Sequence, residues 1–265
     1  MAKAVVALLT DFGLRDHYVG TMKGVALSIC PDVALVDITH DIPPQDVQAA
    51  ALELAACWRY FPPGTVFLVV VDPGVGSARR AIAAEAGEFR FVAPDNGVLS
   101  LVFDETAPRR AVELTERRYA RATLSRTFEG RDRFAPAAAW LAKGVELSAL
   151  GRRAGELERL QIPGATLGID GLTGEVLRVD RFGNLITNID RKTFEHFASA
   201  GATLEISIGS RSVPRLVSTY GEASPGEACA LFGSTEHLEV AVTGGSAART
   251  LDLGRGAPVR VRRGA

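Results

Sequence analysis

Cysteine is scarce in this chain: Cys30, Cys57 and Cys229 are odd in number and far apart, which excludes a disulfide framework. The first two fall in apolar helical patterns where a thiol behaves as a small hydrophobe, so the cysteines are expected to be buried and inert. Histidine is also scarce, and His17, His40, His196 and His237 are scattered without neighbouring ligand partners, so no metal is expected. No Gly-x-Ser-x-Gly elbow is present, which removes the serine-hydrolase class. No long run of lysine or arginine stands out, and 30 basic residues nearly cancel 31 acidic ones. Charge therefore points to a small-molecule partner, with no nucleic-acid and no anionic-membrane footprint. Arg152-Arg153 and the stretch 260–263 read as solvated surface. The apolar stretch from Ala4 to Thr10 is too short for a signal segment and runs at once into Asp11, so a cytoplasmic location is expected.

What is present is an ordinary globular composition, 47% hydrophobic and 23% charged, over 265 residues, enough for one large domain and one smaller one. The first part alternates strand and helix signals. Strands are expected at 4–9, 33–38, 66–71, 81–86 and 89–92, the last two joined by the Gly87-Glu88 turn. Helices are expected at 18–29, 45–60, 96–103 and 134–141, the last with Asp132 as a candidate N-cap. Beyond Gly168 helix signals thin out, and alternating stretches at 174–179, 203–208, 237–242 and 259–262 suggest a small antiparallel barrel or sandwich. The expected architecture is α/β: an N-terminal α/β/α layered sheet domain over residues 1–165 and a smaller antiparallel β-barrel-like domain over residues 166–265.

Layered α/β sheets bind ligands at the carboxyl ends of their strands. Three polar segments sit there: Thr10-Asp11-Phe12-Gly13, Asp37 to His40, and Asp72-Pro73-Gly74-Val75-Gly76. The last lacks the Lys-Ser/Thr of a phosphate-binding loop, and a plain tight turn explains its glycines. An acid capping a buried strand and followed by Arg79-Arg80 instead suggests a charged pair. Asp180-Arg181-Phe182-Gly183-Asn184 interrupts a β pattern with the mix that stacks and hydrogen-bonds a flat heterocycle.

In this order the chain resembles the S-adenosyl-L-methionine hydrolases, or hydroxide adenosyltransferases, relatives of the fluorinases and chlorinases. The resemblance rests on Leu9 to Gly13, Tyr18-Val19-Gly20 with Met22-Lys23-Gly24, Asp72 to Gly76, Pro94-Asp95-Asn96-Gly97, Gly130-Arg131-Asp132 and Asp180 to Ile189. It implies a homotrimer with sites at subunit interfaces, and water displacing methionine from the ribose 5′-carbon without a cofactor. A sulfonium already leaves readily, so such a protein need only orient and activate the nucleophile in a dry pocket.

Residue by residue, the resemblance implies that Asp11 holds the ribose hydroxyls, Asp180 the methionine ammonium, and Phe182 and Asn184 the adenine. Ser234 matches a position that meets the methionine carboxylate, and Ala247 or Ala248 one where the backbone meets adenine; Tyr18 and Gly130 complete the substrate positions. Asp72 and Arg79 match the pair that positions the water, but Glu129 stands where the hydrolases carry a histidine. Glu129 either replaces the imidazole as base, with Arg79 between the two carboxylates, or slows hydroxide formation. Two alternatives stay open: a sensor that binds S-adenosyl-L-methionine or adenosine without turnover, and a halogenase. The halogenases lack the aspartate at position 72 and carry a small hydroxyl residue where Gly130 stands.

Overall fold

The structure is a computed structural model that describes residues 3–169, 171–198 and 203–264. Contacts divide the chain into two compact units, Met1–Gln161 and Ile162–Ala265.

In the first unit the strands are β1 (Val5–Thr10), β2 (Ala34–Thr39), β3 (Val66–Val70), β4 (Ala81–Ala86), β5 (Phe89–Pro94), β6 (Pro108–Glu113) and β7 (Arg152–Arg153). They form one sheet in the order β2-β1-β3-β5-β4-β6-β7. The first four strands in that order run parallel and the rest antiparallel. Helices α1 (Tyr18–Ile29), α2 (Val47–Cys57), α3 (Ser100–Glu105) and α4 (Ala135–Ala142) cover it. Val6, Leu8, Val66 and Leu68 pack with Met22 and Leu141 on one face, and Ala7, Leu9, Phe67 and Val69 with Leu54 and Phe103 on the other. Coverage of both faces is why β1 and β3 are unbroken apolar runs rather than alternating ones.

Local chemistry sets the element ends. Helix α2 starts two residues later than its periodicity suggests, because Gln45 is left-handed at φ 68° and Asp46 caps the helix by accepting the Ala49 N–H at 2.9 Å. Helix α3 starts at Ser100, not at Asn96, because the Asn96 side chain accepts the Val98 N–H and Gly97 is left-handed. Gly130 to Phe134 form a π turn that runs directly into α4, so Asp132 is not its N-cap. Pro136 has no N–H to give the Asp132 carbonyl four residues back, and Arg121 N takes that carbonyl instead at 2.9 Å. Strand β6 escapes the periodicity because only Val112 of its six residues is buried. Cys30 and Cys57, at helix C-termini, are half-buried and only Cys229 is fully buried; burial nevertheless pushes the Cys57 thiol up to about 11.

The second unit holds β8 (Thr166–Gly168), β9 (Gly171–Val179), β10 (Leu185–Asp190), β11 (Leu204–Ile208), β12 (Arg211–Val213), β13 (Ala228–Phe232), β14 (His237–Val242) and β15 (Pro258–Arg263). Their order is β12-β11-β15-β9-β10-β14-β13, with β8 beside β9 and antiparallel pairing throughout. The curled sheet closes on a barrel-like core of residues such as Leu172, Leu185, Ile206, Val240 and Val261. Strands β10 and β13 and the short helices α5 (Arg191–Phe197) and α6 (Ala247–Leu251) add to what alternation alone indicates. Asp190 and Ser246 cap these helices through the Thr193 and Arg249 N–H groups.

Candidate active site

Because β1, β2 and β3 are parallel, their three polar ends emerge at the same edge of the first unit's sheet. The Asp11 loop is anchored from below by His40. Its Nδ1 lies 2.8 Å from the Thr10 hydroxyl, its carbonyl accepts the Gly13 N–H at 2.8 Å, and its Nε2 lies 3.0 Å from Asp37. Asp37 in turn accepts a hydrogen bond from Lys23 at 2.6 Å. Asp11 accepts the N–H of Gln45 at 2.8 Å. Burial raises the Asp11 carboxyl above its ordinary range, the Gln45 bond opposes that rise, and the charge of Asp72 adds to it.

Asp72 follows β3 and is locked to Arg79, whose Nε donates to both carboxylate oxygens at 2.9 and 3.0 Å and whose Nη2 donates to Oδ2. The same Nη2 donates to Glu129 Oε2 at 2.5 Å. All three side chains are mostly buried, at 6% exposure for Asp72, 11% for Arg79 and 14% for Glu129. Burial works against the Arg79 charge, yet the hydrogen bonds and charges of Asp72 and Glu129 hold it above its ordinary value. Gly76 allows this approach. It is left-handed at φ 79°, and a Cβ there would lie 2.6 Å from the Arg126 carbonyl oxygen, so the Asp72 loop lies against the segment leading to Glu129.

Arg80, the second arginine of the pair, pairs instead with Asp95. Asn96 donates to the Val71 carbonyl at 2.9 Å, so the Asp95-Asn96 turn braces both ends of the Asp72 loop. Asp132 is fully buried and accepts from Arg131 Nε at 2.6 Å and Ser125 N at 2.7 Å. Burial opposes its charge, but these donors hold its carboxyl below the ordinary range. Its task is to fold the segment before Glu129. Gly130 is packed so that a Cβ would meet Met22 Sδ at 3.1 Å and Phe128 Cε2 at 3.4 Å. Tyr18 stands edge-on to Phe128 with ring centroids 5.1 Å apart, and tilted to Phe12 at 5.7 Å.

In the second unit Asp180 folds its own loop. Its Oδ1 accepts the Phe182 and Asn184 N–H groups at 2.9 and 2.8 Å, and its Oδ2 accepts the Asn184 side-chain amide at 3.0 Å. This buries Asn184 and leaves the Phe182 ring 76% exposed. Gly183, at φ 87°, presses on Ser246, and its carbonyl accepts the Ala248 N–H at 2.9 Å. The loop and the start of α6, with Ala247 and Ala248, therefore form one surface. Ser234 lies exposed in the turn between β13 and β14.

Sequence reasoning did not single out Glu239. This buried carboxyl accepts the Tyr220 hydroxyl and packs against Gly233 beside Ser234. Burial raises it, the Tyr220 bond opposes, and the Asp180 charge adds to the rise. The available signal was an acid at the centre of the apolar strand β14.

Among the described residues no group of three or more His, Cys, Asp and Glu could hold a metal ion, and no helix is long and apolar enough to cross a membrane.

The sequence signature of the SAM hydroxide adenosyltransferase N-terminal domain matches residues 6–151, and that of the C-terminal domain matches residues 174–260. The chain belongs to the SAM hydroxide adenosyltransferase family. It is similar to the (R)-S-adenosyl-L-methionine hydrolase of Thermus thermophilus, at 44% identity with 97% of this chain and 98% of that protein covered. A fluorinase of Actinopolyspora mzabensis is a more distant relative, at 30% identity with 99% and 98% covered. A Thermotoga maritima protein of solved structure superposes with a TM-score of 0.92 at 36% identity, with 97% and 100% covered. The first signature spans Asp11, Asp72, Arg79 and Glu129, and the second spans Asp180, Phe182, Asn184, Ser234 and Ala247-Ala248.

Proposed function

We propose that this chain hydrolyses S-adenosyl-L-methionine at the ribose 5′-carbon, giving adenosine and L-methionine. The observation that carries this reading is the Asp72–Arg79–Glu129 cluster at the end of β3, an acid pair held on one guanidinium. Such a cluster holds a water oxygen by charge-assisted hydrogen bonds and offers a carboxylate to take its proton. The water oxygen forms the new bond to the 5′-carbon while the electron pair of the carbon–sulfur bond returns to sulfur. The sulfonium becomes a neutral thioether, so the step needs no cofactor.

In this reading Asp11 takes the ribose hydroxyls, Tyr18 and Gly130 bound the substrate, and Asp180 and Ser234 take the ammonium and carboxylate of methionine. Phe182, Asn184 and the backbone at Ala247-Ala248 take adenine. The homotrimer with sites at subunit interfaces belongs to the same proposal, on the strength of the likeness to the SAM hydroxide adenosyltransferases. A cytoplasmic site of action fits the three free thiols.

Incubation of the purified protein with S-adenosyl-L-methionine is expected to release adenosine and methionine in equal amounts, and Asp72→Asn to abolish the release. Tight binding measured by calorimetry without release would instead identify a sensor.

A further inference from the structure

We infer that Arg133 is a positioning residue of this cluster: it supplies the counter-charge that lets a glutamate stand at position 129, so that Glu129 orients Arg79 and Asp72 receives the proton of water. This rests on the proposed hydrolysis. Arg79 is shared between two carboxylates, and the three side chains are mostly buried. Those three alone leave one negative charge uncompensated beside the position of the nucleophile. Arg133 lies four residues beyond Glu129 on the π turn, and its Nη2 is 3.4 Å from Glu129 Oε1. The other end of its guanidinium is anchored, with Nη1 donating to the Leu114 carbonyl at 3.0 Å. The result is an alternating row of Asp72, Arg79, Glu129 and Arg133 with two charges of each sign.

The two oxygens of Glu129 thus face two different guanidiniums, Oε2 toward Arg79 and Oε1 toward Arg133. Glu129 therefore has both oxygens committed to holding guanidiniums in place. Asp72 faces one guanidinium, which takes both acceptor positions of Oδ2 but a single one of Oδ1, so Oδ1 retains a lone pair for water. The Arg133 Nε is buried with no hydrogen-bond partner among the described residues. A guanidinium drawn inward with one donor unmet needs a compensating contact, and Glu129 is the anion it meets.

The test is a cycle of E129Q, R133M and the double variant, with R133K and D72N alongside, each assayed for adenosine release and for unfolding in urea. R133M is expected to lower kcat about tenfold or more with KM within about twofold, because a charge misplaced at the nucleophile acts on the transition state. Removing both charges together restores balance, so E129Q/R133M is expected to recover to within about threefold of E129Q. R133K should retain most of the wild-type rate, and E129Q should lose about tenfold or less, while D72N abolishes turnover. A wild-type rate in R133M, a purely additive double variant, or an E129Q as dead as D72N would overturn the inference. If wild-type protein releases no adenosine, the hydrolase reading fails on its own. The urea cycle then still decides: single variants that destabilise more than the double support the coupling, and additive losses refute it.

Discussion

Asp180 has two tasks in this account, and two substitutions separate them. The three hydrogen bonds it accepts close the Asp180 to Asn184 loop, and two of them come from Asn184, which is 6% exposed. Asp180→Ala leaves those buried donors unmet at about 1–3 kcal/mol each, so the second unit should lose about 3 kcal/mol. For a unit of this size that is a fall of about 15 °C in melting temperature. Asp180→Asn keeps an acceptor oxygen for both backbone N–H groups and sacrifices the side-chain contact to Asn184, at a cost of about 1 kcal/mol. It also removes the charge assigned to the substrate ammonium, which should raise KM about tenfold or more with a smaller change in kcat. Calorimetric melting and adenosine release over a range of substrate concentrations read the two effects separately. An Asp180→Asn protein that melts near wild type with an unchanged KM would refute the ammonium role and leave Asp180 a loop-folding residue.

Gly76→Ala should cost about 1–2 kcal/mol for its left-handed backbone alone, and the approach to the Arg126 carbonyl adds to it; kcat should fall more than KM rises as Asp72 is displaced. Asp132, held below its ordinary 3.8, contributes stability above that pH that fades as pH falls through its folded-state value; Asp132→Asn should therefore be destabilised by about 3 kcal/mol at pH 7 in urea titrations and approach wild type in acid. Asp11 has the opposite sign: its raised carboxyl binds protons more readily in the folded state, so stability falls as pH rises from 3.8 through the raised value. Asp11→Asn should accordingly be more stable than wild type at neutral pH, with the gain vanishing well below pH 3.8, while losing affinity for substrate.

Much of the scaffold is legible in residue pattern. The unbroken apolar runs of β1 and β3 announce a sheet covered on both faces, and parallel pairing then brings Asp11 and Asp72 to one edge. The spacing from Asp72 to Arg79 suits a loop that folds back on its first residue. Other features are hidden because tertiary contacts decide them. Nothing local distinguishes Arg79 from Arg80, yet one turns to Asp72 and the other to Asp95. Asp132 reads as a helix cap until Pro136 is seen to free the carbonyl that Arg121 takes. Nothing local singles out Arg133, which the π turn carries toward Glu129. Glu239 gains its meaning only when Tyr220, distant in sequence, lies over it.

The central claim is that a water oxygen attacks the ribose 5′-carbon beside Asp72. Turnover in water enriched in oxygen-18, followed by mass spectrometry of both products, tests it directly. The account predicts one labelled oxygen in the 5′-hydroxyl of adenosine and none in methionine. Unlabelled adenosine, label on the amino-acid fragment, or a 5′-halogenated nucleoside formed in the presence of halide would contradict it.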